Sequence, residues 1–248
     1  MKILEMNETD RSLKLLAGDS FQVDNFLISP VTLGEVKDIG YSLYNQYLGV
    51  MTFRVDDLID TTDIDESTLS LFDLILSSGN PDLIQLFIDS LCFFLKQDRT
   101  KINFHPDLGL IFGDINLSID DVRVVSADNY NDILNVIKYQ NYIFGKNGGD
   151  NPKNAKAKSI MEKLRKANEI VMKKKGVSND DKIDFSDLVS AVSTKSIHYD
   201  KESVWGLTMY QFYDEYKRLE RISSYETNVL AMVNGAKIEL KHWCGKLD

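Results

Sequence analysis

Cysteine, proline, histidine and long apolar runs are all scarce in this 248-residue chain. Its two cysteines, Cys92 and Cys244, lie far apart, which excludes a disulfide framework and fits a reducing compartment. Four prolines and fourteen glycines exclude collagen-like and low-complexity classes. An apolar fraction of 43% with 10% aromatics is too rich for a disordered chain, so a packed core is expected. No window reaches 18 uninterrupted apolar residues, so no membrane span is expected. The opening stretch MKILEMNETDRSLK has no apolar segment of the secretory kind. With three histidines in all, and His242 and Cys244 as the one close pair, a four-ligand zinc site lacks its second pair. No cofactor or metal is expected.

Charge is plentiful and unevenly spread. Residues 1–152 carry 24 acidic and 11 basic side chains, a net −13. Residues 153–175 carry nine basic and two acidic ones, a net +7, and the remainder a net −3. An acidic body repels phosphate backbones, so nucleic-acid binding is not expected of the chain as a whole. The basic island is the local exception. It can also meet acidic protein surface, that of the first domain included.

Periodicity and punctuation outline the elements. The stretch 19–29 reads as one or two short strands ended by Pro30. Thr32 and Glu35 match a capping box, and the helix after it carries Val36, Ile39, Tyr44, Tyr47 and Leu48. Leu69 to Leu76 is helical by leucine content, and Asn80-Pro81 is a cap-and-proline start for a helix with a broad apolar face. Cys92 lies within that face and reads as a core thiol. Short strands follow from Lys101 to Val125, punctuated by Pro106 and Gly113, as a hairpin or meander. Helix returns from Tyr130 to Tyr142. Three glycines between Phe144 and Asp150 mark a linker and lack the spacing of a phosphate-binding loop.

Beyond it, a basic amphipathic helix over 153–175 sets Ile160, Leu164, Ala167 and Val171 on one stripe, with Lys156, Lys163, Lys166 and Lys174 mostly elsewhere. A short helix starts at Asp184. Two further capping boxes, Thr208 with Gln211 and Ser223 with Glu226, predict two successive helices, the second stopping at Gly235. The expected fold class is mainly α with a minor antiparallel β element (α+β) in an N-terminal domain, 1–145. A glycine-rich linker, 146–152, leads to a helical C-terminal domain, 153–248.

Catalytic patterns are weak. The segment 179–187 is similar to the exit half of a calcium-binding EF-hand loop, but Asp181 stands where glycine is required and Asp187 where a bidentate Glu is required. Acids at a helix N-terminus explain it better. No nucleophile-elbow signature is present. The dense aromatic group Trp205, Tyr210, Phe212, Tyr213 and Tyr216 fits core packing of a small helical domain. A sharper alternative makes Trp205, Tyr210, Tyr213 and Tyr216 a partner surface, since Tyr and Trp are enriched at interface hot spots.

Several stretches together carry a resemblance: PVTLGEVKDIGYSLYNQYL (30–48), DNYNDILNVIKYQN (128–141), NPKNAKAKSIMEKL (151–164), IDFSDLVSAVSTKS (183–196), VWGLTMYQFYDEYKRLERISSYE (204–226) and KIELKHW (237–243). The set resembles tail-region proteins of phages and prophages of Gram-positive bacteria, often described as tail assembly chaperones. The resemblance implies a non-enzymatic role in the host cytoplasm, binding the long helical tape-measure protein and tail-tube subunits, with a homo-oligomer among the possible states. An extended amphipathic helix exposes more apolar surface than water tolerates, and a helical acidic partner can cover it. The alternatives are a structural tail or head–tail component of the virion, and a nucleic-acid-binding regulator acting through 153–175.

Overall fold

The computed structural model describes residues 2–53, 70–113, 122–144, 183–245 and 247. Helices α1 (Glu8–Ala17), α2 (Leu33–Ile39), α3 (Tyr41–Met51), α4 (Leu71–Leu76), α5 (Pro81–Leu95), α6 (Ala127–Gln140), α7 (Phe185–Lys195) and α8 (Met209–Val233) surround two small sheets. One sheet is the hairpin β1 (Phe21–Val23) and β2 (Phe26–Ile28). The other is the antiparallel meander β3 (Ile102–His105), β4 (Gly109–Phe112) and β5 (Arg123–Val125). The described fold is mainly α with minor antiparallel β, as the periodicity implies.

Local chemistry accounts for the helix starts. Asn80 caps α5 by accepting from the amides of Asp82 and Leu83, at 3.1 and 3.2 Å, with Pro81 at the first helical position. At α2, Thr32 Oγ1 accepts from the Glu35 amide (3.2 Å) and Glu35 returns the bond by accepting from the Thr32 amide (2.8 Å). The single helix expected to follow Thr32 is instead two. Gly40, at φ 89° and ψ 135°, closes α2 and opens α3 at an angle to it, in a conformation only glycine adopts cheaply. Gly109 plays a different part: a Cβ there would lie 2.3 Å from the Val125 carbonyl oxygen, so β4 and the end of β5 approach only because it has none.

The core forms where these elements turn their apolar faces inward. The hairpin buries Phe21, Val23, Phe26 and Ile28 and points Gln22 and Leu27 outward. Helices α3 and α5 make the most extensive helix pair. Buried polar groups are satisfied across elements: Tyr44 Oη donates to Asn141 Oδ1 (2.7 Å), Tyr130 Oη to the Met51 carbonyl (3.1 Å), and Gln140 Nε2 to the Ile28 carbonyl (3.0 Å). Cys92 is buried within this packing, and desolvation pushes its thiol up to about 11.

The C-terminal segment enters the same core. Leu33 donates its amide to Leu207 O and Met209 donates to Val31 O, both at 2.9 Å, so Thr32 and Thr208 form an antiparallel bridge. Two helix-capping residues, 176 positions apart, thus sit side by side at the roots of α2 and α8. Val189, Val192, Leu207, Met209 and Phe212 join one hydrophobic cluster with Leu33, Val36, Tyr44 and Phe94. The segment expected as linker, 146–152, and the basic helix expected over 153–175 lie outside the described residues.

Helix α8 corrects the expectation of two helices. It runs unbroken for 25 residues, about 37 Å. Ser223 does not cap; its hydroxyl donates to the Leu219 carbonyl (2.8 Å) and accepts from Lys195. No glycine or proline interrupts the run before Gly235, so a second capping pattern inside it has nothing to terminate. Only Met209, Tyr210 and Phe212 of this helix are fully buried, and its far end bears exposed Leu230 and Val233.

Candidate functional site

A groove of about 740 Å³ opens where the C-terminal segment lies against α2. Leu33 and Val36 of α2, Val189 of α7 and Val204 form its buried apolar base. Its rim carries three aromatic rings. Tyr41, first residue of α3, stacks on Phe185, first residue of α7, with centroids 4.1 Å apart and planes 3° from parallel. Trp205 sits in the short 3-10 turn Ser203–Gly206, its indole N–H donating to the Lys201 carbonyl at 2.9 Å. That turn is held against α2 so closely that a Cβ on Gly34 would lie 3.2 Å from the Trp205 carbonyl oxygen.

One long wall belongs to α7. Asp184, Ser186, Val189, Ser190 and Ser193 line it along about 13 Å of helix. Small hydroxyl side chains on the exposed part of that wall leave room for another backbone to approach. Asp184 starts the helix through a reciprocal pair with Asp187: Asp184 Oδ1 accepts from the Asp187 amide (3.0 Å) and Asp187 Oδ2 from the Asp184 amide (2.9 Å). The Ser186 hydroxyl, then the Asp187 amide, hold the Asp184 carboxyl below its ordinary range. These acids cap a helix, and the preceding 179–182 of the EF-hand-like stretch lie outside the described residues.

Two lysines stand at the groove. Lys37 lies over the Trp205 ring, 5.4 Å from its centroid, and pairs at 3.4 Å with Asp38. Lys201 lines the groove beside the same tryptophan and makes no ion pair among the described residues.

The four aromatics expected at a partner surface divide. Trp205 lines the groove. Tyr210 is 7% exposed and packs on Tyr142 (5.2 Å) and Phe144 (6.2 Å), so its ring is part of the core and not a free surface. Tyr213 lies against Phe212, Tyr142 and Phe185, and burial, with Tyr41 beside it, pushes its phenol well above the ordinary value. Tyr216 is half-buried against the same cluster. Lys156, Lys163, Lys166 and Lys174 lie outside the described residues. Leu33, Val36 and Tyr41 complete the groove; periodicity marks Val36 only as one apolar residue of a first-domain helix, and nothing local to the three signals a site shared with residues 150 positions later.

At the far end of the segment, His242 Nδ1 and Cys244 Sγ are 2.9 Å apart and exposed. Among the described residues no group of three or more His, Cys, Asp or Glu side chains is placed to hold a metal ion. Among them, too, no helix is long and apolar enough to cross a membrane.

Residues 173–248 match the family model described as the YomV second domain, of phage or prophage type. The match therefore includes the α7 wall, Lys201 and Trp205, whereas the α2 wall precedes it. No curated protein and no solved structure matches the chain.

Proposed function

We propose that this protein is a non-enzymatic morphogenesis protein of a phage or prophage, a tail assembly chaperone that holds an amphipathic helix of an elongated partner. The tape-measure protein, with tail-tube subunits assembling around it, is the partner that the tail-region resemblance implies. The observation that carries the reading is the groove: an apolar trough about 13 Å long, walled by a helix within the matched phage-type segment and rimmed by aromatics. Helix-in-groove recognition needs that combination of apolar base, length and aromatic edge.

The test is co-expression of the tagged protein with the tape-measure protein of the same phage, comparing wild type with Ser190→Arg. Ser190 is an exposed groove residue, so the arginine fills the trough without entering the core. Recovery of the tape-measure protein with wild type, and its loss with Ser190→Arg at an unchanged thermal midpoint, is the expected result. Equal recovery with both would remove the groove from the reading.

A structural role in the particle is the second reading, and one observation favours it. The free end of α8 leaves Leu230 and Val233 at 65% and 80% exposure, as an element awaiting permanent burial would. Mass spectrometry of purified particles separates the two, since a chaperone is absent from them and a subunit is present in fixed copy number.

A further inference from the structure

The groove's charge selects its occupant, and we infer that it takes an amphipathic helix whose apolar face is flanked by carboxylates. The inference rests on the helix-binding reading above and adds the partner's chemistry to it.

Geometry first favours a rod over a small molecule. The apolar lining follows α7 for about 13 Å and ends at Ile183, which is 74% exposed, so the trough runs out into solvent along the helix direction. The α7 wall matches about nine residues of a docked helix, two and a half turns. The serines at 186, 190 and 193 recur at helical spacing, so a second helix can lie close to α7 without meeting a large side chain.

Charge then separates the possible helices. Asp184 and Asp187 keep their charge while capping α7 at the Ile183 end of the groove, and the helix N-terminus offsets part of it. Lys37 and Lys201 are not so engaged: the first rests on the Trp205 face with an exposed neighbour as its partner, and the second has no ion pair among the described residues. The Lys37 ammonium lies over Trp205, and Lys201 lines the groove next to it, its carbonyl accepting from the Trp205 indole. A helix that sets a large apolar side chain against Trp205 therefore brings its flanking positions to two cations. Carboxylates there gain two ion pairs, and lysines there meet like charge. The chain's own 153–175, at net +7, carries the disfavoured sign. Because the whole protein is at net −9, acids elsewhere on a partner are repelled, so the lysine pair also sets the register.

The test uses the full-length protein carrying Trp243→Phe, which leaves Trp205 as the sole indole reporter. The probes are a 20-residue amphipathic peptide with a Leu/Phe face flanked by Glu, the same peptide with Lys for every Glu, and a peptide of residues 153–175. Anisotropy of a fluorescein label gives affinity, and Trp205 emission gives location. The Glu peptide is expected to bind about tenfold tighter than the Lys peptide, from two partly exposed pairs, and to shift Trp205 emission. Lys37→Glu with Lys201→Glu is expected to reverse that order while the far-UV circular dichroism stays unchanged. Equal affinities for the Glu and Lys peptides would overturn the charge selection and leave helix binding standing. Tightest binding by 153–175 would overturn it in favour of the chain's own segment. Glu-peptide binding without a Trp205 response would overturn the location. Binding of no peptide would remove the helix-binding reading itself.

Discussion

Phe87→Ala tests whether the C-terminal segment shares a cooperative unit with the rest. Phe87 lies on α5, is fully buried, and packs edge-on against Phe72 (6.0 Å) and Tyr130 (5.6 Å). Truncation removes its transfer free energy, leaves a cavity and deletes two aromatic pairs, together about 3–5 kcal/mol. For a protein of this size each kcal/mol lowers the midpoint by about 2–4 °C, so a fall of about 6–20 °C is expected. Phe87 does not touch the groove, which makes the readout decisive. In the Trp243→Phe background, emission reports Trp205, in the C-terminal segment. If one core spans the described residues, Trp205 emission and far-UV circular dichroism shift together in thermal and urea unfolding. A Trp205 transition that stays at its wild-type midpoint while the circular dichroism transition moves would refute a shared core and favour two independently stable domains.

Three further outcomes are expected. Gly109→Ala places a methyl 2.3 Å from a backbone oxygen at φ 98° and should cost at least about 2 kcal/mol in urea unfolding. Gly79→Ala, at φ 67° with open space around it, should cost about 1 kcal/mol, and equal costs would contradict the close-approach argument. At pH 8 a thiol reagent should modify only Cys244 in the native protein and both cysteines in urea, because Cys92 is buried with its thiol pushed up to about 11; rapid native labelling of Cys92 would show that α5 opens readily. Burial raises Glu35, but the Lys96 ammonium (2.6 Å) and the Thr32 bonds outweigh it and hold the carboxyl below its ordinary 4.5. A carboxyl lowered by folding stabilises above its unfolded pKa, so this contribution is complete above about pH 4.5. It is lost as pH falls below that, and Glu35→Gln should flatten that part of the stability–pH curve.

How much was legible follows the range of the interaction. Thr32-x-x-Glu35, Asn80-Pro81 and Thr208-x-x-Gln211 start helices where their chemistry says, because a cap is satisfied within three residues. The same local signal misled at Ser223, where the preceding helix simply continued through it. The break at Gly40 is invisible to periodicity, because apolar spacing persists across it and carries no information about φ. In helix α1 Leu15 is buried while Leu13 and Leu16 stay exposed, a division that depends on what packs against the helix and not on its own residues.

The amino-acid sequence by itself determined the mainly helical class, the short antiparallel strands, the burial of Cys92 and the dense aromatic group near residue 210. Each depends on composition or on neighbours within a turn or two. Only the tertiary structure decided which of those aromatics is available. Tyr210 and Tyr213 share one helical turn and one chemistry, yet both go under Tyr142 or Phe185, while Trp205, a few residues before, is left at the edge of a groove. The groove exists because the Thr32–Thr208 bridge lays α2 beside the 3-10 turn, a pairing between positions 176 apart that costs chain entropy and is repaid only when the whole core closes. No local pattern encodes a surface whose two walls come from opposite ends of the chain.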